Sequence, residues 1–148
     1  MTNHFYGSDV AGSVKAVNHI YKGIETPVDL YDALTDIWCR ETCAPRMRAL
    51  WTSENPTLGQ CSITAFLAQD IFGGDVYGLT TKNGDTHCYN VVNGCTFDLT
   101  SEQFKEEAKN LVYEGNPLQN RESKVHFGKE EKHKRYEYLK SQFLNKCF

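Results

Sequence analysis

The sequence predicts an α+β fold, and three observations carry that prediction. Ile63, Phe66, Leu67 and Ile71 recur at helical spacing behind Cys61, and Gly73-Gly74 ends the run. From Val76 onward the pattern shifts to short extended segments punctuated by Asn83-Gly84 and Asn93-Gly94, the turn signals of an antiparallel meander. Helix-spaced segments stand on both sides of that meander, which segregates helices from strands along the chain.

Each element has its own local reason. Residues 1–25 form an N-terminal extension in which Val14, Val17, Ile20 and Tyr21 are spaced for a short amphipathic helix. Residues 26–148 read as a single domain. Thr26 can cap a helix, Pro27 suits its first position and Asp29 favours its positive end; Leu30, Leu34, Ile37 and Trp38 continue it towards Pro45. Residues 51–60 form an irregular approach loop with Ser53, Asn55, Pro56 and Gly59. Strands follow over Val76–Thr80, Thr86–Val92 and Cys95–Leu99. Thr100 and Gln103 have the spacing of a capping box for a helix through about Leu111. Asn116-Pro117 breaks the chain, and a last helix over about Lys129–Asn145 buries Tyr136, Leu139 and Phe143.

Composition narrows the function classes. The chain has 148 residues, enough for one domain with a self-sufficient core, and a formal net charge of −3. Its one basic cluster, Lys129, Lys132, Lys134 and Arg135, is interrupted by Glu130, Glu131 and Glu137 and reads as a solvated helix face, so no nucleic-acid partner is expected. No apolar run approaches the roughly 20 residues of a membrane helix. The segment Met1-Thr2-Asn3-His4-Phe5 lacks the basic start and apolar stretch of a signal peptide, so the expected location is cytoplasmic. The six cysteines are accordingly expected to be reduced. Cys39 and Cys43 stand four apart on a helix-like stretch, but no second pair follows at zinc-ligand spacing. No cofactor and no structural metal are expected.

One cysteine differs from the rest in placement. Cys61 falls in the first turn of its helix, where unpaired N–H groups and the helix dipole favour an anion, and thiolate is the nucleophilic form. A buried helix-start cysteine is the plain alternative. If Asn93-Gly94 is a two-residue turn, Val92 faces Cys95, Val91 faces Thr96, Asn90 faces Phe97 and Tyr89 faces Asp98. Alternation then puts His87 and Asp98 on one face as diagonal neighbours, about 7–8 Å apart at the backbone. A carboxylate there can fix an imidazole's tautomer and orientation, although a surface cross-strand pair would have the same spacing. The combination of nucleophile, base and orienter points to a Cys61-His87-Asp98 triad. Gln60 could donate to an oxyanion beside the Cys61 N–H. Asn90 lies on the other strand face unless a bulge turns it, in which case it rivals Asp98 as orienter. His4 and His19 lie in the extension, and His126 and His133 lie near or on the last charged helix; all four read as solvated or locally bonded.

The residues Trp38-Cys39-Arg40-Glu41-Thr42, the run Glu54-Asn55-Pro56-Thr57-Leu58-Gly59-Gln60-Cys61, then His87-Cys88-Tyr89-Asn90, Asp98-Leu99-Thr100-Ser101-Glu102-Gln103-Phe104 and Arg135-Tyr136 resemble the YunG-like family of small bacterial proteins, over roughly residues 37 to 140. That family's order of a helix-start Cys, a strand His and a following Asp resembles in turn the papain-like and transglutaminase-like superfamily. The resemblance implies a papain-like or transglutaminase-like fold, with Cys61 as nucleophile, His87 as general base and Asp98 as orienter. The implied function is thiol-dependent acyl transfer as an amidase, peptidase or transglutaminase-like enzyme, acting on a peptide, protein or small amide or thioester. The alternatives are a non-enzymatic binding or regulatory domain on the same fold, and a metal site using Cys61, His87 and Asp98 or Cys88. Cys88 stands where an aromatic often follows the catalytic histidine, so packing beside His87 is expected to differ.

Overall fold

The computed structural model describes residues 5–145. His4, read as solvated or locally bonded, lies outside that range. Helix α1 spans Pro27–Leu34, and its start is locked by a capping box: Asp29 N–H donates to the Thr26 hydroxyl while the Asp29 carboxylate accepts from the Thr26 N–H. Helix α2 spans Cys61–Phe72, strand β1 Asp75–Thr80, β2 Thr86–Val92, β3 Cys95–Phe97, and helix α3 Glu130–Asn145. The three strands form one antiparallel sheet in the order β1-β2-β3. The architecture is α+β.

Helix α2 is the buried centre. Nine of its twelve residues are buried, among them Ile63, Phe66, Leu67 and Ile71. A helix apolar on nearly all sides has to sit inside the molecule rather than on it. Each of those four side chains contributes roughly 1.5–3 kcal/mol by leaving water. Strand β2 packs one face on α2, and the amide of Asn90 reaches from it to donate to the Ala65 carbonyl at 2.9 Å. Trp38 donates to the Thr64 hydroxyl at 3.0 Å on another side of α2. Helix α3 closes the core with Tyr136, Leu139 and Phe143.

The hairpin register matches the turn-based expectation at Asn90–Phe97, Val91–Thr96 and Val92–Cys95. The third strand is shorter than expected, because Asp98 leaves the ladder and bridges instead to Tyr6, whose carbonyl accepts the Asp98 N–H at 2.9 Å. Four further expectations are corrected. The helix beginning at Pro27 stops at Leu34, and Cys39 and Cys43 lie in turns, where the Thr42 hydroxyl takes the Cys39 N–H. The expected helix after Thr100 is a 3₁₀ segment, Ser101–Asn110, kinked at Lys105 with φ 53°. Its capping box does not form, because the Thr100 N–H and hydroxyl both turn back to the Asp98 carboxylate. Residues 5–25 form no amphipathic helix. Apart from a single turn at Ala11–Ser13 they run irregularly along the core, burying Phe5, Val14, Tyr21 and Ile24 while Val17 and Ile20 stay exposed. Backbone bonds from Ala16 to Glu25 and from Val17 to Ile71 replace the helical ones. Finally, the basic cluster on α3 is only partly solvated. Arg135 is buried, donating to the Thr42 carbonyl at 3.2 Å and pairing with Glu131 at 2.8 Å.

Candidate functional site

The approach to Cys61 is set by Gly59. This residue holds φ at +72°, and a β-carbon there would come 2.5 Å from the Cys43 sulfur. The Ala44 N–H clamps the Gly59 carbonyl at 2.9 Å. The chain then enters α2 through Gln60, which supplies no side-chain cap. An uncapped helix start leaves its first N–H groups and its positive dipole end directed outward, beside the Cys61 sulfur.

Cys61, Ser62, His87 and Cys88 open on one cavity of about 510 Å³, which is also lined by Phe104, His126, Lys129 and Lys132. Cys61 is half-buried, whereas His87 and Cys88 are 2% exposed. His87 sits on β2 opposite Leu79. Its ring stands edge-on to Phe104 at 4.7 Å, and its Nε2 meets the Asp98 Oδ2 at 2.6 Å. That leaves Nδ1 as the ring nitrogen for the thiol. Asp98 is held from three more directions: the Tyr113 hydroxyl donates to Oδ2 at 2.7 Å, and the Thr100 N–H and hydroxyl donate to Oδ1 at 3.2 and 3.4 Å. A carboxylate with so many donors stays in one place and keeps the imidazole in one orientation.

The electrostatics follow from these contacts. Contact with the Cys88 thiol lowers the Cys61 pKa most; burial opposes it, and hydrogen bonding and charge from His87 lower it again, to well below the ordinary 9.0. Cys88 goes the other way, well above 9.0, because its proton serves the Cys61 sulfur and because it is buried. Burial pulls His87 down, but the Asp98 charge and hydrogen bond, with Cys61 added, push it up to about 10. Cys61 has the helix end and the imidazole beside it while Cys88 has neither, so the negative charge belongs on Cys61. Both shifts run in the direction that favours a thiolate on Cys61 and a proton on His87, whose ring lies against Asp98.

The structure thus brings Cys61, His87 and Asp98 together. It does not bring Gln60 or Asn90 into the cavity. The Gln60 amide is buried and donates to the Cys39 carbonyl at 3.1 Å. Asn90 faces α2, on the other side of β2 from His87. Tyr113 and Thr100 hold Asp98 from positions outside the strands, so alternation gave no signal for either.

His126 is a second correction. It is buried rather than solvated, packed edge-on to Phe66, with Nε2 against Gln119 Oε1 at 2.7 Å and Nδ1 against Lys132 Nζ at 3.2 Å. Burial first, then Lys132, lowers its pKa to about 4, so it is neutral and accepts at Nδ1. Lys132 also donates to the Val125 carbonyl at 2.8 Å, which fixes its ammonium at the cavity wall. Its pKa is lowered by burial, against the raising effect of the Cys61 charge. Spacing could not show this, because the loop over 121–129 that carries His126 has no periodicity.

A separate hollow of about 620 Å³ is lined by Tyr21, Asp70, Arg121 and Tyr136. Its polar groups are engaged with one another: Arg121 pairs with Asp70 at 2.9 Å, and the Tyr136 hydroxyl bonds to the same carboxylate. No cysteine or serine lines it. Among the described residues no group of three or more His, Cys, Asp and Glu is placed to hold a metal ion, and no helix is long and apolar enough to cross a membrane.

Fold and cavity together define a class: an α+β protein whose helix-start cysteine shares a cavity with a buried histidine–aspartate pair. Within that class the family is explicit. The chain belongs to the YunG protein family, whose model matches residues 26–147. That match extends beyond the motif-based resemblance at both ends. A Bacillus subtilis (strain 168) protein described as "Uncharacterized protein YunG" is 36% identical over 93 residues, covering 63% of this chain and 74% of the relative. No solved structure matches.

Proposed function

We propose that this protein is a thiol-dependent acyl-transfer enzyme of papain-like or transglutaminase-like design. Cys61 is the nucleophile, His87 the acid–base and Asp98 the orienting carboxylate. The observation that carries the reading is the buried 2.6 Å His87–Asp98 contact beside a cysteine at an uncapped helix start. A purely structural ion pair has no need of a half-buried thiol opening on a cavity.

The chemistry runs from the charge-separated resting state. The Cys61 thiolate attacks an amide or thioester carbonyl, and the new oxyanion lies against the first-turn N–H groups of α2. Gln60 takes no part, since its amide is bound to Cys39. His87 already carries its proton, and it gives that proton to the departing amine or thiol. Water or an amine, deprotonated by the now neutral His87, releases the acyl group and restores the pair. The opening step therefore needs no proton transfer from Cys61.

The test is covalent trapping. The protein is incubated at pH 7 with small acyl thioesters and peptide-like activated esters, and its adducts are located by mass spectrometry. An acyl group on Cys61 that turns over on dilution, and is absent in His87→Ala, is expected. Acylation spread over all exposed thiols, or unchanged in His87→Ala, rejects the enzyme and leaves a binding domain on the same fold.

A further inference from the structure

Cys88 is a buried thiol that acyl transfer does not use. It follows His87 on β2 and lies on the strand face directed at α2, as Asn90 does two residues on. It lines the same cavity as Cys61, near enough for the two thiols to interact. Two thiols on one cavity, one half-buried and the other 2% exposed, have the placement of an attacking and resolving pair.

We propose that Cys61 and Cys88 are a reversible redox pair, in which a small hydroperoxide oxidises Cys61 and Cys88 resolves it to an intramolecular disulfide. In the first step the Cys61 thiolate attacks the peroxide. The O–O bond breaks, an S–O bond forms, and the departing alkoxide or hydroxide takes the His87 proton, leaving alcohol or water. Cys61 is then a sulfenic acid, two electrons poorer. In the second step the Cys88 sulfur attacks the Cys61 sulfur. The S–S bond forms, the S–O bond breaks, and the released hydroxide takes the Cys88 proton as water. A dithiol supplies the two electrons that reopen the bond. While closed, the disulfide removes the Cys61 nucleophile, and it protects that sulfur from irreversible oxidation. The proposal does not rest on acyl transfer, since the pair would close in a protein that transfers nothing.

The experiment is peptide mapping under non-reducing conditions after brief treatment of the full-length protein with an equivalent of hydrogen peroxide. The expected product is a Cys61–Cys88 cross-linked peptide, lighter by two hydrogens, with iodoacetamide labelling of Cys61 lost and then regained after dithiothreitol. In Cys88→Ser and Cys88→Ala the same treatment should carry Cys61 to sulfinic or sulfonic acid, with labelling not regained. The wild-type map decides the matter even if those variants fold poorly. Sulfinic acid at Cys61 in the wild type without the cross-link overturns the proposal. So does preferential pairing of Cys61 with Cys39, Cys43 or Cys95.

Discussion

Removing the Cys61 sulfur should change how stability depends on pH, and the size of the change follows from the two titrations. The sign is worked group by group. His87 has a folded pKa near 10 against 6.5 unfolded, so its contribution is complete below pH 6.5 and is lost as pH rises from 6.5 through 10. Cys61 has a folded pKa well below its unfolded 9.0, so its contribution is complete above pH 9 and is lost as pH falls from 9. Each slope is about 1.4 kcal/mol per pH unit. Between pH 6.5 and 9 the two cancel, because folded and unfolded chains each hold one proton, on His87 and on Cys61 respectively. The wild type should therefore show a flat stretch there. In Cys61→Ala only a His87 slope remains, shortened because Cys61 no longer helps to raise the His87 pKa, so from pH 6.5 to 8 the variant should lose up to about 2 kcal/mol that the wild type keeps. Urea unfolding at half-unit pH intervals measures both curves, and groups common to both proteins cancel in the difference. Parallel curves over this range would falsify the charge-separated resting state.

Other consequences are equally specific. Asp98→Asn should slow alkylation of Cys61 at pH 7 by roughly 10- to 100-fold, the range of one charge-assisted hydrogen bond, while Tyr113→Phe, which leaves the His87–Asp98 contact in place, should slow it much less; equal effects would remove Asp98 from its role. The Lys132 ammonium at the cavity wall should make Cys61 react faster with iodoacetate than its reaction with neutral iodoacetamide would suggest, and Lys132→Met should lower that ratio several-fold at low salt; an unchanged ratio would place the ammonium away from the sulfur. His126, with its pKa near 4 in the fold, contributes stability above pH 6.5 that is lost as pH falls towards 4, up to about 3 kcal/mol; the nuclear magnetic resonance titration of its ring protons should show a midpoint near 4, and an ordinary midpoint near 6.5 would contradict its buried neutral state.

Much of this arrangement was legible before any coordinates, and the reason is that periodicity and turn chemistry act locally. The Cys61 helix, the Asn93-Gly94 hairpin and its register depend on spacing and on two residues that favour left-handed turns, so the nearness of His87 and Asp98 could be derived. The contacts that hold Asp98 could not. Tyr113 arrives from a segment after the kinked 3₁₀ stretch, and Thr100 turns to Asp98 instead of capping a helix, because a buried carboxylate competes better for its N–H and hydroxyl than a helix start does. Burial misled in the same way at α3. Arg135 and Lys132 sit in a sequence that looks solvated, yet the Thr42 carbonyl and the Val125 carbonyl, both distant in sequence or carried by loops, draw them inward. The N-terminal residues fail as a helix because β3 and α2 offer their backbone and side chains better partners than one another.

Everything functional here depends on the charge of one sulfur, and a direct titration reads it. The rate of Cys61 alkylation by iodoacetamide, followed by peptide mass spectrometry from pH 4 to 10, should stay near its plateau at pH 7 and fall only well below that; in His87→Ala the midpoint should move up towards an ordinary thiol. A wild-type midpoint near 9, shared by the other cysteines, would mean that Cys61 rests as a neutral thiol and that the His87–Asp98 pair does not activate it.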